Sequence, residues 1–296
     1  MNRRTFLSSV MITPALAAVL AACGDDSKPA AVDTGGSSGP TTTASAQGIP
    51  YPTGADDVIV RWGIEGGFVV AGFAFTNVPS HLITGDGQVF SPGATALIYP
   101  GPLLPNLAVG SITPQGIEKI LELAKTAGLL APPPEYFAEV QVADVPDTVL
   151  ILGPVGGPYR HQANALGFQT DENGNPAPEL TPEREKLYQF VTLLGTLSKI
   201  TGEQNLGTGD MYAPTEFRMQ SRVVTKEEFD SVESATMVDW PAEISVRLAD
   251  ALTCARVSGA AATKTLNDAK QNTYFKDADV LYSLAAVGVL PGDPAC

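Results

Sequence analysis

Basic residues are scarce in this chain. Its 296 residues include 18 lysines and arginines against 32 aspartates and glutamates, and the formal net charge is −14. A surface of this sign repels phosphate backbones, which argues against nucleic acid as a partner. It also argues against electrostatic adhesion to anionic lipid, since that requires clusters of lysine and arginine.

Only two histidines are present, His81 and His161. The chain lacks a Gly-x-Ser-x-Gly elbow, a phosphate-binding glycine loop with lysine, and a His-Glu-x-x-His helix. His161 lies on the apolar side of its predicted strand, which is typical of a hydrogen-bonded core residue. The sequence therefore indicates no metal site and no cofactor, and the catalytic residues, if there are any, stay unknown.

The first apolar stretch is too short to cross a membrane, because a span needs about 20 residues. It runs from Val10 to Ala22 and is interrupted by Thr13 and Pro14. Basic residues precede it and a polar stretch follows, which is the layout of a secretory signal. Residues 1–22 are therefore predicted to be a signal peptide.

This stretch ends in Leu20-Ala21-Ala22-Cys23, which resembles the lipobox of bacterial lipoproteins. In that family the cysteine sulfur receives a diacylglyceryl group, cleavage follows, and the cysteine becomes the lipidated N-terminus. The resemblance implies that Cys23 carries a membrane anchor, which is stable when two or more acyl chains are attached. A single transmembrane helix and an ordinary cleaved signal are the alternatives.

The segment from Asn2 to Leu7 resembles the twin-arginine export signature. Arg3 and Arg4 form the pair, and Phe6 and Leu7 follow at the expected offset. The alternative is that the two arginines are simply the positive start of a general secretory signal. Either route implies export, and together with the lipobox it implies a lipid-anchored protein on the extracytoplasmic face of the cell membrane.

Residues 23–55 are rich in Gly, Ser, Thr, Ala and Pro. Such a stretch buries too little surface to offset its ordering entropy, so a lipid-anchored flexible tether is predicted. The remaining length suffices for one large domain or two small ones. A first unit over 56–205 and a C-terminal unit over 206–296 are predicted, with one continuous domain over 56–296 as the alternative.

Alternating apolar residues and turn signals predict strands that pair in hairpins. Val58 to Glu65 has the period of a half-buried strand. Thr84-Gly85-Asp86-Gly87 stands between two apolar runs and predicts a tight hairpin. A glycine- and proline-rich turn at 153–158 separates the two strands of a second hairpin.

Threonine-proline pairs at Thr113-Pro114 and Thr181-Pro182 predict the starts of two helices. Thr225 and Glu228 have capping-box spacing for a short third helix, and a weaker helix is predicted from Gly259. The predicted fold class is α+β, with largely antiparallel hairpins and three to four helices in the order ββα, ββα, β, α, β. The 84–89 hairpin and the 113–128 helix resemble secreted bacterial lipoprotein domains of uncharacterised function, a resemblance that carries no activity.

With Cys23 assigned to lipid, Cys254 and Cys296 are left to form a disulfide, because export places them in an oxidising compartment. We expect their Cα atoms about 4.4–6.8 Å apart, the range that a bridge demands. Two free or intermolecular thiols are the alternative.

Three further patterns carry weaker hypotheses. Asp171 to Asn175 places oxygen ligands at alternate positions, as a calcium loop does, but Pro176 stands where glycine is required, so a surface connection is favoured. Paired acids such as Glu227-Glu228 and Asp277 with Asp279 are predicted to be solvated. Aromatic residues in proline-rich loops bind ligands or anchor the loops; they are Trp240, Tyr212, Tyr136 and Phe137.

The sequence favours a cell-envelope lipoprotein that acts as a binding or protein-interaction module on the outer face of the cytoplasmic membrane. Its partners would be the membrane through the lipid anchor, and an envelope protein or a small ligand. The alternative is an exported hydrolase that acts on envelope material through acidic residues. A solute receptor is disfavoured, because its two βαβ lobes do not match the hairpin pattern.

Overall fold

The computed structural model describes residues 48–69, 72–95, 98–137, 144–168 and 181–296. These residues belong to a single compact unit, 39–296. With 25% helix and 31% strand in largely antiparallel sheets, the predicted α+β class is confirmed.

Twelve strands and six α-helices are formed by the described residues. The strands are β1 (Val58–Glu65), β2 (His81–Thr84), β3 (Gln88–Pro92), β4 (Leu107–Ser111), β5 (Asp147–Leu152), β6 (Tyr159–Asn164), β7 (Asp210–Met211), β8 (Glu216–Val223), β9 (Thr236–Asp239), β10 (Ala255–Ser258), β11 (Thr273–Asp277) and β12 (Val280–Gly288). The helices are α1 (Phe73–Thr76), α2 (Pro114–Thr126), α3 (Pro182–Leu194), α4 (Leu197–Thr201), α5 (Lys226–Ser231) and α6 (Ala260–Asp268). Two helices, α1 and α4, were not predicted from the sequence. Both are short and lie between longer elements.

The strands form two sheets that divide the chain between β7 and β8. The first sheet has the order β6-β5-β1-β2-β3-β4-β7 and is antiparallel throughout. The second has the order β10-β8-β12-β11-β9, and only β9 and β11 run parallel. Both predicted hairpins, β2–β3 and β5–β6, are present in the first sheet.

Helices α2 and α3 pack on one face of the first sheet. Both begin as predicted: the Thr113 hydroxyl accepts a hydrogen bond from the Gly116 amide at 3.2 Å, and Thr181 does the same for Arg184 at 3.3 Å. Their apolar stripes and the facing strand residues form the first core, which includes Ile117, Ile120, Leu121, Leu187, Phe190, Leu194, Val60, Leu150 and Leu152.

Two further clusters complete the interior. The second sheet buries Phe217 and Met219 of β8 against α6 and the 240–251 segment. On the other face of the first sheet, Leu82 and Phe90 pack with Leu290, which follows β12. The segment that follows β12 therefore lies against the first sheet, although β12 itself belongs to the second sheet.

Candidate functional site

A cleft opens beside β1 on the face of the first sheet that α2 and α3 do not cover. Along β1, Val60 and Trp62 pack into the first core, so Arg61 and Gly63 point to the other side. The cleft has a volume of about 300 Å³. Its lining includes Arg61, Glu65, Phe73, Val78, Val149 and Arg218.

The short helix α1 forms one wall and is fixed at both ends. Before it, Gly72 has a φ of 84°, and a Cβ there would lie 3.1 Å from the Cβ of Ala285 in β12. After it, the Asn77 side-chain amide donates to the carbonyl of Ile64 in β1. Helix α1 therefore lies close to the second sheet at its start and is hydrogen-bonded to the first sheet at its end.

Two arginines that line the cleft, Arg61 and Arg218, share one carboxylate, that of Asp293. Arg61 Nη1 donates to Asp293 Oδ1 at 2.9 Å, and the Asp293 side chain is only 4% exposed. Arg218 Nε lies 3.8 Å from the other oxygen, Asp293 Oδ2, which already accepts from the Leu290 amide at 3.1 Å. These three side chains together therefore carry one positive charge in excess.

Arg218 is the less satisfied of the two arginines. Its side chain is 13% exposed, and its Nε is buried with no hydrogen-bond partner among the described residues. Its guanidinium carbon lies 5.3 Å from the centre of the Phe75 ring, a cation–π contact that holds the group without satisfying its donors. A buried donor without an acceptor is a cost that a bound anion would remove.

The C-terminal segment that presents Asp293 is held from behind by Arg256. Arg256 Nη2 donates to the carbonyls of Asp293 at 3.3 Å and Pro294 at 3.1 Å. Cys254 and Cys296 lie at disulfide distance beside it, with their Cα atoms 5.1 Å apart, inside the expected range. The segment that carries Asp293 is therefore held in place beside the cleft, which Pro294 lines.

The charged side chains that line the cleft are Arg61, Glu65 and Arg218. Among the described residues that line the cleft there is no serine, threonine, cysteine or histidine. The carboxylate at the mouth, Glu65, pairs with Arg160 at 2.8 Å.

Both histidines lie outside the cleft. His161 is fully buried, and its Nε2 lies 2.8 Å from the Leu129 carbonyl, so Nε2 carries the proton and Nδ1 accepts from the Tyr136 hydroxyl at 2.7 Å. Burial lowers the pKa of His161, and the hydrogen bond to Leu129 opposes this only in part. The core role predicted for His161 is confirmed. Burial also lowers the pKa of His81, whose Nδ1 accepts from the Trp62 indole at 3.2 Å.

Most aromatic side chains of the proline-rich loops anchor those loops. The Trp240 indole donates to the Val246 carbonyl at 2.9 Å, and the Tyr212 hydroxyl donates to the Val289 carbonyl at 3.1 Å. Tyr136 is bound to His161, and burial followed by the charge of Glu183 raises the pKa of Tyr136 to about 12. Phe137 is exposed. The ligand-binding alternative is therefore not favoured for Trp240, Tyr212 or Tyr136.

The prediction that the paired acids are solvated is wrong for Asp277. Asp277 is buried and accepts from Arg247 Nε and the Leu248 amide, both at 2.9 Å. The hydrogen bond from Arg247 is the main cause that lowers the pKa of Asp277. Glu228 pairs with Arg222, whose hydrogen bond lowers the pKa of Glu228. A general acid needs the opposite displacement, so neither carboxyl group is suited to act as one.

Several sequence predictions fall outside the described residues. These are Cys23, Arg3, Arg4, Phe6 and Leu7 of the export and lipidation signals, and the calcium-like loop from Asp171 to Asn175. Within the described ranges, no helix has the length and apolar character that a membrane crossing requires. The same ranges contain no group of three or more His, Cys, Asp or Glu side chains placed to hold a metal ion.

No family model matches the chain, and no curated protein and no solved structure shows significant similarity to it. The candidate site therefore rests on the geometry of this chain alone.

Sequence reasoning did not single out Arg61 or Arg218 as site residues. Each alternates with buried residues along its strand, Arg61 beside Val60 and Arg218 between Phe217 and Met219. The sequence pattern alone predicts that an arginine at such a position lies on the solvent-exposed face of its strand. The two arginines can be recognised as a site only in the folded structure, where β1 and β8 bring both side chains to the carboxylate of Asp293.

Proposed function

We propose that this protein is a cell-envelope lipoprotein, anchored through Cys23 on the outer face of the cytoplasmic membrane. The folded part acts as a binding module, and it takes a small anionic ligand in the cleft between Arg61 and Arg218. The observation that carries the binding role is Arg218, which lines the cleft and whose buried Nε has no hydrogen-bond partner among the described residues.

The location rests on the N-terminal sequence. Leu20-Ala21-Ala22-Cys23 supports lipidation, and Arg3 and Arg4 with Phe6 and Leu7 support export by the twin-arginine route. The polar stretch after Cys23 would hold the folded part away from the bilayer. A strongly acidic protein gains little from direct contact with anionic lipid, which leaves the acyl chains as the membrane attachment.

The binding role rests on charge. The chain as a whole has a net charge of −14, yet two arginines that line the cleft share one carboxylate. Arginine binds carboxylates and phosphates through paired donors in a fixed plane. An anion placed beside Arg218 would neutralise the excess charge and accept from its guanidinium group. Each such charge-assisted hydrogen bond contributes about 1.5–3 kcal/mol.

The anchor is tested with the Cys23→Ala variant. We expect the native protein to fractionate with membranes and to begin at an acylated Cys23, as read by mass spectrometry of the mature N-terminus. The variant should lose the acyl chains and appear in the soluble fraction or as an uncleaved precursor. A native protein with an unmodified Cys23 inside a longer chain would refute the lipoprotein part of the proposal.

The binding site is tested by calorimetric titration of the full chain carrying Cys23→Ala, which is free of lipid. Sodium butyrate and sodium phosphate are the probes, with sodium chloride at equal ionic strength as the blank. Arg218→Gln should weaken binding by about ten- to a hundredfold, the equivalent of one charge-assisted hydrogen bond.

Arg222→Gln is the matched control, because Arg222 lies on the same strand and pairs with Glu228 at the surface. This control should bind as the parent protein does. Equal binding by the parent and the Arg218→Gln variant would place the anion elsewhere and overturn the binding role.

A further inference from the structure

We propose that the open edge of β9 is a docking site for an extended segment of a partner protein, which joins the second sheet as an additional strand. The segment carries apolar side chains and, at one end, a lysine or arginine. This surface belongs to the second sheet and does not depend on the anion site beside β1. It adds to the proposed function a second binding surface, one for polypeptide.

The backbone of β9 presents free hydrogen-bonding groups at this edge. β9 is the last strand of its sheet, and among the described strands it pairs only with β11, in parallel. The amides of Thr236 and Trp240 donate to carbonyls on the β11 side at 3.0 and 2.7 Å. In a parallel pair, such residues alternate with residues whose N–H and C=O point away from the neighbouring strand. Met237 and Asp239 therefore turn their amides and carbonyls to the open edge.

This edge lacks the features that usually protect an exposed strand. Native proteins blunt such edges with proline, lysine, a bulge or a covering segment. β9 has the sequence Thr-Met-Val-Asp, all four residues are exposed, and its register with β11 is continuous. Met237 is 51% exposed and Val238 is 43% exposed. β9 therefore offers a regular, partly apolar edge to which an extended chain can add.

A cleft lies on each face of β9. On one face, Met237 lines a cleft of about 410 Å³ together with Phe229 and Leu281. On the other face, Thr236 and Val238 line a cleft of about 640 Å³ that is bounded by α6. Both clefts expose mainly apolar surface. The side chains of an added strand point alternately to the two faces of the sheet, so apolar side chains would extend toward both clefts.

The charges at the end of β9 favour a basic partner. Asp239 ends the strand and Glu243 lines the larger cleft, and neither has an ion-pair partner among the described residues. Lys264 of the same cleft is already paired with Asp268. The net charge of −14 also opposes an acidic partner and a second copy of this chain. The lysine or arginine of the partner therefore belongs near Asp239 and Glu243.

The start of β9 has the opposite character. Lys270 lines the larger cleft and has no ion-pair partner among the described residues. Its amide donates to Thr273 Oγ1 at 3.0 Å, and Thr273 pairs with Thr236, the first residue of β9. A basic side chain of the partner is therefore disfavoured at this end, which fixes the direction in which the segment presents its charge.

Binding of a rhodamine-labelled peptide, Thr-Val-Ile-Val-Lys-Thr with blocked ends, tests the docking site by fluorescence anisotropy on the full chain carrying Cys23→Ala. Two further peptides are N-methylated, each on a different set of alternate residues. Only one set faces β9 in an added strand, so one of the two should bind about tenfold more weakly and the other as the parent peptide does. Glutamate in place of the lysine should also weaken binding by about tenfold.

Met237→Pro is the protein variant aimed at the edge. The Met237 amide points away from β11, so proline removes an edge donor without breaking a bond to β11. Met237→Val is the matched control, because it keeps the amide and an apolar side chain suited to a strand. Met237→Pro should bind the peptide about tenfold more weakly, whereas Met237→Val should stay close to the parent protein.

Two further checks accompany these variants. Arg218→Gln should bind the peptide as the parent protein does, which separates this surface from the cleft beside β1. Near-ultraviolet circular dichroism establishes that each variant is folded. If Met237→Pro is not folded, the pair of N-methylated peptides on the parent protein decides the question.

Equal binding by the two N-methylated peptides would overturn strand addition, and so would equal binding by folded Met237→Pro and Met237→Val. A glutamate peptide bound as tightly as the lysine peptide would overturn the basic character of the partner. A dimer of the unliganded chain in light scattering that Met237→Pro converts to a monomer would assign the edge to a second copy instead. No peptide bound at millimolar concentration would overturn the docking site and leave the anion site untouched.

Discussion

Three polar side chains fasten the segment that follows α2 to the interior of the first sheet. Arg184 is 4% exposed and donates to the carbonyls of Tyr136 at 3.2 Å and Asn164 at 2.8 Å. Tyr136 in turn donates to His161, which donates to Leu129. In these hydrogen bonds His161 Nδ1 is the acceptor of the Tyr136 proton. Protonation of His161 at Nδ1 would therefore leave the Tyr136 hydroxyl facing a second donor.

The two histidines therefore make the fold sensitive to mild acid. Their pKa values are lowered from 6.5 in the folded state, so below that pH the unfolded chain binds more protons. Stability is fully present above pH 6.5 and is lost as pH falls toward the folded pKa values. We expect the free energy of unfolding to decrease between pH 7 and 5 by up to about 1.4 kcal/mol per pH unit for each histidine.

Urea titrations at a series of pH values measure this slope. His161→Gln and His81→Gln should each flatten it, because each removes one titrating group. The carboxyl groups with lowered pKa, Asp86, Asp277 and Glu228, lose their contribution only at more acidic pH, near and below their usual values. An unchanged slope in both histidine variants would contradict the assignment.

Helix starts were predictable at the scale of the element because their determinants are local. Thr113, Thr181 and Thr225 each cap a helix through the amide three residues ahead. A cap needs only a hydroxyl at one position and the backbone beyond it, so the sequence spacing contains all the information. The same holds for the hairpin at Thr84, where Gly87 adopts a φ of 88°.

Thr113→Ala should therefore destabilise the protein by about 1 kcal/mol, the usual cost of a lost N-cap. The Thr113 hydroxyl also donates to Asn205 Oδ1 at 2.6 Å, which places the effect at or above that value. Thr126→Ala near the end of the same helix removes an exposed hydrogen bond to Glu122 and should change stability by less than about 0.5 kcal/mol. Equal midpoints in urea for the two variants would count against the cap.

Short elements with distant partners were not predictable. β7 has two residues and β9 has four, all of them exposed, so neither carries an apolar pattern. They form strands because each pairs with the edge of a neighbouring strand, β7 with β4 and β9 with β11. Asp277 was misplaced for the same reason, since Arg247 and Leu248 supply its partners from elsewhere in the chain.

The candidate site shows this limit most clearly. Arg61 and Arg218 belong to different sheets, and Asp293 belongs to neither. No spacing rule connects residues so far apart in the sequence. Alternation along β1 and β8 predicts that each arginine leaves its own strand on the side away from the buried residues, but it does not predict that both meet one carboxylate.

At the scale of the whole molecule, the C-terminal segment joins the two sheets and the bridge beside it reinforces the join. Cys254 and Cys296 are 42 residues apart, so a bond between them would stabilise the fold by roughly 4 kcal/mol in the chain-entropy model. A Cys254→Ser/Cys296→Ser double variant should unfold at correspondingly lower urea concentration.

Reductant supplies the control for this experiment. It should lower the stability of the native protein toward that of the double variant and leave the variant itself unaffected. Peptide mapping under non-reducing conditions should recover the two cysteines in one linked species. Two alkylatable thiols in freshly exported protein would show that the pair is not bonded.

The contact between Arg61 and Asp293 joins residues 232 positions apart. Synthesis proceeds from the N-terminus at roughly 5–20 residues per second, so about 10–50 s separate the appearance of β1 from that of the residue that completes its outer face. During that interval the apolar side chains of Leu82 and Phe90 have no Leu290 to cover them. The nascent protein therefore has its greatest need of a chaperone between the synthesis of its third strand and the synthesis of its last turn.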